Sequence, residues 1–120
     1  MLETRFPVIL IVANASPTIA TGDPRIRYLE ALLALAEGTL KGGEPQAALA
    51  WFQQALTADP YLEAACLGVL RCYLVMDQPA AALAFYRQYA VRLERDLGLR
   101  PSPEARALYE SILRTQDRSR

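Results

Sequence analysis

The segment 79–97 carries apolar side chains at intervals of three and four residues. These positions are Leu83, Tyr86, Ala90, Leu93 and Leu97. Because an α-helix has about 3.6 residues per turn, this spacing places all of them on one helical face. We therefore predict a long amphipathic helix with a buried stripe along its whole length.

The segment 45–56 is repeated 34 residues later in the chain. Its sequence PQAALAWFQQAL aligns with PAAALAFYRQYA, with six of twelve positions identical and two that exchange one aromatic residue for another. This period is typical of tetratricopeptide-type helical hairpins, in which small residues let two helices approach. Ala48 and Ala82 hold the small positions, and Phe52 and Tyr86 hold the aromatic positions one turn later.

Proline marks five predicted helix starts. The five dipeptides are Asp23-Pro24, Glu44-Pro45, Asp59-Pro60, Gln78-Pro79 and Ser102-Pro103. Proline is tolerated at the first helical position because an N–H at that position would have no partner within the helix. The predicted helices span residues 25–41, 45–58, 60–76, 79–97 and 103–115.

The predicted connections contain residues that end helices. Gly42 and Gly43 can supply the left-handed backbone position after the first helix, and Gly98 can supply it after the fourth. Pro101 prevents the fourth helix from continuing, and Ser102 offers an N-cap oxygen to the fifth helix. The fourth helix is therefore predicted to end firmly before a separate fifth helix begins.

The fifth helix is predicted to fold back over the hairpins. Two stacked hairpins leave an apolar flank uncovered, and repeat proteins need a terminal element to cover such a flank. Leu108, Tyr109 and Ile112 are suitable covering residues. The predicted fold class is all-α, with tetratricopeptide-like antiparallel helical hairpins forming an α-α superhelix that is closed by a C-terminal capping helix.

The chain resembles a bacterial protein family. The sequence AALAFYRQYAVRLERDLGLRPSPEARALYESIL, with ALTADPYLEAACLGVLRCYL upstream of it, resembles the bacterial transcriptional activator domain of SARP-type regulators. The resemblance covers about residues 25–113, and its most specific part is DLGLRPSPEARALYESIL. It implies a role in transcription regulation, in which the domain follows a winged helix DNA-binding domain and mediates self-association or contact with other proteins.

Three regions are predicted along the chain. Residues 1–24 form an N-terminal extension, residues 25–116 form the tetratricopeptide-like bacterial transcriptional activator domain, and residues 117–120 form a tail. The extension is interpreted as an arm or short strand packing on a partner, with disorder, a truncated upstream domain and a secretion signal as alternatives. Since 24 residues are too few for a winged helix, we expect a piece of a longer regulator or a stand-alone relative.

Charge and composition restrict the function. The 13 basic and 13 acidic residues balance, so direct nucleic-acid binding by this chain is not expected. Its apolar runs are too short to predict a membrane span. The chain lacks histidine, and Cys66 and Cys72 are interpreted as buried structural thiols in a reducing cytoplasm. We predict no enzyme activity, no cofactor and no metal.

Carboxylates offer the only candidate acid/base chemistry. Glu30 with Glu37, or Glu94 with Asp96, could form such a pair, but no nucleophile, metal set or glycine-rich phosphate loop accompanies them. They are therefore interpreted as charges on solvated helix faces.

A protein partner is predicted to bind the concave groove that the inner helices of such repeats line. The candidate residues are Glu30, Leu33, Glu37, Lys41, Leu67, Arg71 and Val75. The alternative is that these residues only pack against the N-terminal arm or the closing helix. The expected partner is a second copy, giving a homodimer, or the transcription machinery. An adaptor unrelated to transcription and a small-molecule sensor are the alternative functions.

Overall fold

The computed structural model describes residues 23–118, and this part of the chain contains five helices and no strand. The helices are α1 (Pro24–Lys41), α2 (Pro45–Ala58), α3 (Glu63–Val75), α4 (Pro79–Leu97) and α5 (Pro103–Arg118). The prediction of an all-α, tetratricopeptide-like fold is confirmed. The predicted N-terminal arm, up to residue 22, lies outside the described residues.

The chain divides into two compact units at a point within α1. The first unit comprises residues 1–31, of which 23–31 are described. At its helix start, the Asp23 carboxylate accepts the backbone N–H of Arg25 at 2.9 Å, which is the interaction expected of an N-cap. The second unit comprises residues 32–120 and contains the remainder of α1 together with the other four helices.

The repeat predicted from the sequence is reproduced in the core of the second unit. Ala48, Phe52 and Ala82 have no exposed surface, and Tyr86 is also buried. The small residue and the aromatic residue of each copy therefore occupy the interior, as the 34-residue offset requires. Within this unit α2 packs on α3, and α3 packs on α4.

The loops that follow α1 and α3 have the same backbone structure. After α1, Gly43 has φ 85° and donates its N–H to the carbonyl of Leu40 at 3.0 Å. After α3, Asp77 has φ 58° and donates to the carbonyl of Leu74 at 3.0 Å. These left-handed residues lie 34 positions apart. The repeat thus extends to the helix ends, even though glycine fills this position in only one copy.

The third helix begins later than predicted. The predicted start at Pro60 was wrong, because α3 begins at Glu63. The Leu62 N–H donates to the carbonyl of Asp59 at 3.2 Å, and the Tyr61 N–H donates to the Asp59 carboxylate at 3.0 Å. Proline is favoured at the second position of such a β-turn. Pro60 therefore belongs to a turn that precedes the helix.

The apolar stripe of α4 is shorter than predicted. Leu83, Tyr86 and Leu93 are buried, but Leu97 is 48% exposed, so the stripe does not run along the whole helix. Leu93 is the last buried residue of α4, which means that the final turn extends past the core. Tyr89 is a buried residue of α4 that the predicted stripe did not include.

The break between α4 and α5 follows the prediction. Gly98 has φ 67° and donates its N–H to the carbonyl of Glu94 at 2.9 Å, which ends α4 with a left-handed residue. The Ser102 hydroxyl accepts the backbone N–H of Ala105 at 3.1 Å and so caps α5. The last helix reaches Arg118, three residues beyond its predicted end.

The closing helix packs on both α4 and α3. Ile112 and Ala105 are buried, and Leu108 and Tyr109 are partly buried against the same core. The Tyr109 ring stacks on the Tyr86 ring, with 4.2 Å between centroids and 14° between planes. Such aromatic pairs add to the free energy of burying the rings. The predicted covering role of α5 is therefore confirmed.

A polar network also joins α5 to α3 and α4. The Ser102 hydroxyl donates to one carboxylate oxygen of Glu63. The Tyr89 hydroxyl lies 3.2 Å from the other Glu63 oxygen and 3.1 Å from the Tyr61 carbonyl, so two acceptors compete for its one proton. Burial, followed by the nearby Glu63 charge, raises the pKa of Tyr89. The hydroxyl thus remains a donor at neutral pH.

The contact between α2 and α3 depends on a missing side chain. Phe52 is fully buried, and its ring occupies the space where a Cβ atom at Gly68 would lie. In an ordinary helix, replacing glycine by alanine adds about 1 kcal/mol of stability. For Gly68→Ala we expect the opposite sign, with a loss of roughly 1–3 kcal/mol from overpacking. Chemical denaturation of the variant would measure this change in unfolding free energy.

Gly38 provides the matched control for this substitution. It lies within α1, and no atom approaches the position of its missing Cβ within 4 Å. Gly38→Ala should therefore stabilise the chain by roughly 1 kcal/mol through helix propensity. If both variants were more stable than the wild type, the tight contact between Phe52 and Gly68 would be contradicted.

Removing the cap of α5 tests how firmly this helix is held. Ser102→Ala removes the hydroxyl that binds both the Ala105 N–H and the Glu63 carboxylate. We expect a loss of about 1–2 kcal/mol in unfolding free energy. Ser111→Ala, at an exposed position in the same helix, should change it by less than about 0.5 kcal/mol. Equal effects in thermal melts would argue against the cap.

Candidate partner-binding surface

The candidate partner residues occupy equivalent positions in the two repeats. Leu33 in α1 corresponds to Leu67 in α3, at an offset of 34 residues. Glu37 corresponds to Arg71, and Lys41 corresponds to Val75, at the same offset. These three pairs lie in the second unit. Stacked repeats place equivalent positions side by side, so the pairs define one strip across α1 and α3.

The middle pair of this strip is in direct contact. The Arg71 guanidinium lies 3.6 Å from the Glu37 carboxylate, and the two side chains are 43% and 42% exposed. An ion pair with this exposure contributes about 0–1 kcal/mol to stability, because water screens the charges. The pair therefore presents charge to solvent, and it can exchange partners at little energetic cost.

The other members of the strip differ in accessibility. Val75 is 62% exposed, Lys41 is exposed and Leu33 is partly exposed. Leu67 is only 7% exposed and belongs to the hydrophobic core. We define the α1–α3 surface as Leu33, Glu37, Lys41, Arg71 and Val75. It combines two basic groups, one acidic group and two apolar side chains.

Glu30 is placed differently from the other candidates. It is exposed on α1, within the first compact unit. The α1–α3 surface belongs to the second unit, so Glu30 is not included in its definition.

Both cysteines are free and buried in α3, as predicted. Burial, followed by the Glu63 charge, raises the pKa of Cys66 to about 12. Burial, followed by the Glu37 charge, raises the pKa of Cys72 to about 11, although Arg71 acts in the opposite direction. At neutral pH the thiols are therefore protonated, whereas a nucleophile or metal ligand must be a thiolate. This protonation state agrees with a packing role for both side chains.

The residues of the described segment, 23–118, include no group of three or more potential metal ligands among His, Cys, Asp and Glu. Within the same segment, none of the helices combines the length and the apolar character needed to cross a bilayer. The α1–α3 surface itself offers charges and apolar side chains.

A known protein family matches most of this chain. Residues 19–113, which make up most of the chain, match the sequence profile of the bacterial transcriptional activator domain. The chain belongs to this family. The bacterial transcriptional activator domain thus accounts for all five helices except the last turn or so of α5.

Curated relatives of the domain are transcriptional regulatory proteins. The chain is 35% identical over 83 residues to the transcriptional regulatory protein EmbR of Mycobacterium tuberculosis, covering 69% of this chain and 21% of EmbR. It is 30% identical over 94 residues to the transcriptional regulatory protein MoaR1 of Mycobacterium bovis, covering 78% and 29%. The chain thus spans less than a third of either relative. No solved structure gives a significant match.

Several contacts that hold the domain together could not be predicted from the sequence. The bond from Ser102 to Glu63 joins residues 39 positions apart, and the Arg87 Nε donates to the Tyr109 hydroxyl across 22 positions. Residue type alone does not pair such distant groups. The 34-residue offset could have paired Glu37 with Arg71, since opposite charges at equivalent positions of stacked helices come into contact.

The assignment of Arg71 to the surface and of Leu67 to the core can be tested within one helix. The two residues lie one turn apart in α3. Arg71→Ala should change the unfolding free energy by less than about 1 kcal/mol, as exposed ion pairs contribute little. Leu67→Ala should cost about 2–5 kcal/mol because it leaves a cavity. Urea denaturation would compare them, and similar losses would contradict the assignment.

Proposed function

We propose that this chain acts in transcription regulation as a non-catalytic protein-contact domain. Membership of the bacterial transcriptional activator domain family supports this role, as do the regulatory relatives. The observation that carries the proposal is the α1–α3 surface, where an exposed ion pair and exposed apolar side chains lie on stacked repeats. Interfaces are built from such mixtures of apolar and polar contacts.

We propose a second copy of the chain as the first partner. A twofold interface is self-complementary, because residue i of one copy meets residue j of the other and the reverse. Glu37 and Arg71 lie 3.6 Å apart, so a twofold axis near them would let each carboxylate meet the guanidinium of the other copy. Val75 supplies apolar area at 62% exposure. This arrangement would give a homodimer.

Contact with the transcription machinery is the second role that we propose, and it requires protein surfaces and no direct binding to DNA. The equal numbers of basic and acidic residues support this choice, since phosphate recognition relies on an excess of Arg and Lys. Two free, buried thiols fit a reducing compartment, so we propose that the domain works in the cytoplasm.

Light scattering with a charge-reversal pair would test the proposed dimer. The wild-type chain at micromolar concentration should have twice its 13.3 kDa mass. Arg71→Glu should shift the population to monomer, because like charges would face each other. Adding Glu37→Arg to that variant restores opposite charges and should restore the dimer. Arg114→Glu, at an exposed position in α5, should leave the dimer unchanged.

Two outcomes would contradict the proposed self-association. A wild-type chain that remains monomeric at micromolar concentration would exclude a stable homodimer. A dimer that survives Arg71→Glu would place the interface elsewhere on the domain.

A further inference from the structure

A groove runs along α4. None of its lining residues belongs to the α1–α3 surface. One part is an open depression of about 390 Å³, and a second part has about 190 Å³. Gln88 and Arg92 line both parts, so the two parts are adjacent. We call this feature the α4 groove. Its other lining residues are Leu56, Pro60, Phe85, Arg87, Tyr89, Val91 and Arg95.

The groove presents apolar side chains, and Phe85 among them is held in place by the core. Val91 is 62% exposed, although it lies in the middle of a helix whose opposite face is buried. Phe85 is partly buried against the core, and its ring stacks on Tyr89 with 6.4 Å between centroids. A partner that covers Val91 and the edge of Phe85 would remove apolar area from water without disturbing the fold.

Among the residues of the described range 23–118 that line this groove, three are arginines and none is Asp or Glu. Arg87 is held in place, because its Nε donates to the Tyr109 hydroxyl at 3.2 Å and its guanidinium lies 6.0 Å from that ring centroid. Arg95 donates from Nε to Asp96 at 3.0 Å. Arg92 forms no hydrogen bond or ion pair with any residue of the described range 23–118. Hydrogen bonds from Arg95 and then Tyr61, and to a smaller extent the Arg92 charge, lower the pKa of the nearby Asp96. The groove therefore presents positive charge beside apolar surface.

This combination fits carboxylates better than a nucleic-acid backbone. Arginine binds carboxylates with two parallel hydrogen bonds, and the apolar part of the groove can receive an aliphatic or aromatic side chain. Asp96 lies next to the groove, where it binds Arg95 and also accepts from the Tyr61 hydroxyl at 3.0 Å. Asp96 would repel phosphates and carboxylates alike, so the apolar surface at Val91 makes the distinction. A phosphate backbone carries no apolar side chain that could cover Val91, whereas a peptide can carry one beside its carboxylates.

We propose that the α4 groove binds an acidic peptide segment of a partner protein. Its carboxylates pair with Arg92 and Arg87, and an apolar side chain of the segment covers Val91. Arg87 and Arg92 are five residues apart, which corresponds to about 7.5 Å along the helix axis. An extended peptide spans that distance in about two residues, so acidic residues on either side of a single apolar residue match the groove.

The probe for this proposal is a fluorescein-labelled peptide in which glutamates flank a central leucine. Its anisotropy with the full chain should report binding at about 50 mM NaCl, and affinity should fall by roughly tenfold or more at about 500 mM, because salt screens exposed charges. Arg92→Glu should weaken binding by at least about tenfold. Val91→Ala should also weaken it, through the loss of apolar contact.

Two matched variants separate this groove from the rest of the surface. Arg114→Glu makes the same charge change at an exposed position in α5 and should leave the dissociation constant unchanged. Arg71→Glu should also leave it unchanged, since Arg71 belongs to the α1–α3 surface. Peptide binding can therefore fail while the proposed dimer stands, and the dimer can fail while peptide binding stands.

Several results would overturn the proposal. Equal binding of a peptide with glutamine in place of glutamate would show that charge is not recognised. An unchanged dissociation constant for Arg92→Glu would place the peptide elsewhere. Tighter binding of a short DNA duplex, lost with the same variant, would assign the groove to nucleic acid. Circular dichroism of Arg92→Glu should remain that of the wild type, because the side chain is exposed.

Discussion

The close approach of α2 and α3 at Phe52 and Gly68 is the contact on which the stack depends. The Phe52 ring fills the space of the missing Cβ, so the two helices lie closer than two larger side chains would allow. The equivalent aromatic of the second copy, Tyr86, meets the next helix differently, by stacking on Tyr109. Each hairpin thus sends one aromatic residue into the helix that follows it. These two aromatic contacts link α2 to α3 and α4 to α5.

Local sequence signals predicted the helices well and the contacts between them less well. Helix starts at Pro45, Pro79 and Pro103 agree with the structure, and Gly98 ends α4 as its residue type suggested. Pro60 was misleading because proline also suits a β-turn, and the carboxylate and carbonyl of Asp59 make that turn the better choice. Helix periodicity cannot show where a core ends, which explains the exposed Leu97.

The positions that the repeat leaves exposed are those to which function is assigned. Glu37 and Arg71 occupy equivalent places on successive inner helices, and their ion pair could be anticipated from the offset alone. The burial of Leu67 could not, since it depends on how closely α2 and α4 enclose α3. The α4 groove was also not predicted, because part of its lining, Leu56 and Pro60, comes from another part of the chain.

Nuclear magnetic resonance on the full chain would test the central contact most directly. A ring that lies against Gly68 should give strong nuclear Overhauser effects between the Phe52 ring protons and the Gly68 Hα protons, and its ring current should move those Hα resonances away from ordinary helical values. Both signals are expected if α2 and α3 meet at this point. Absent cross-peaks, together with ordinary helical shifts for Gly68, would show that α2 and α3 do not meet at this point and would contradict the proposed stack.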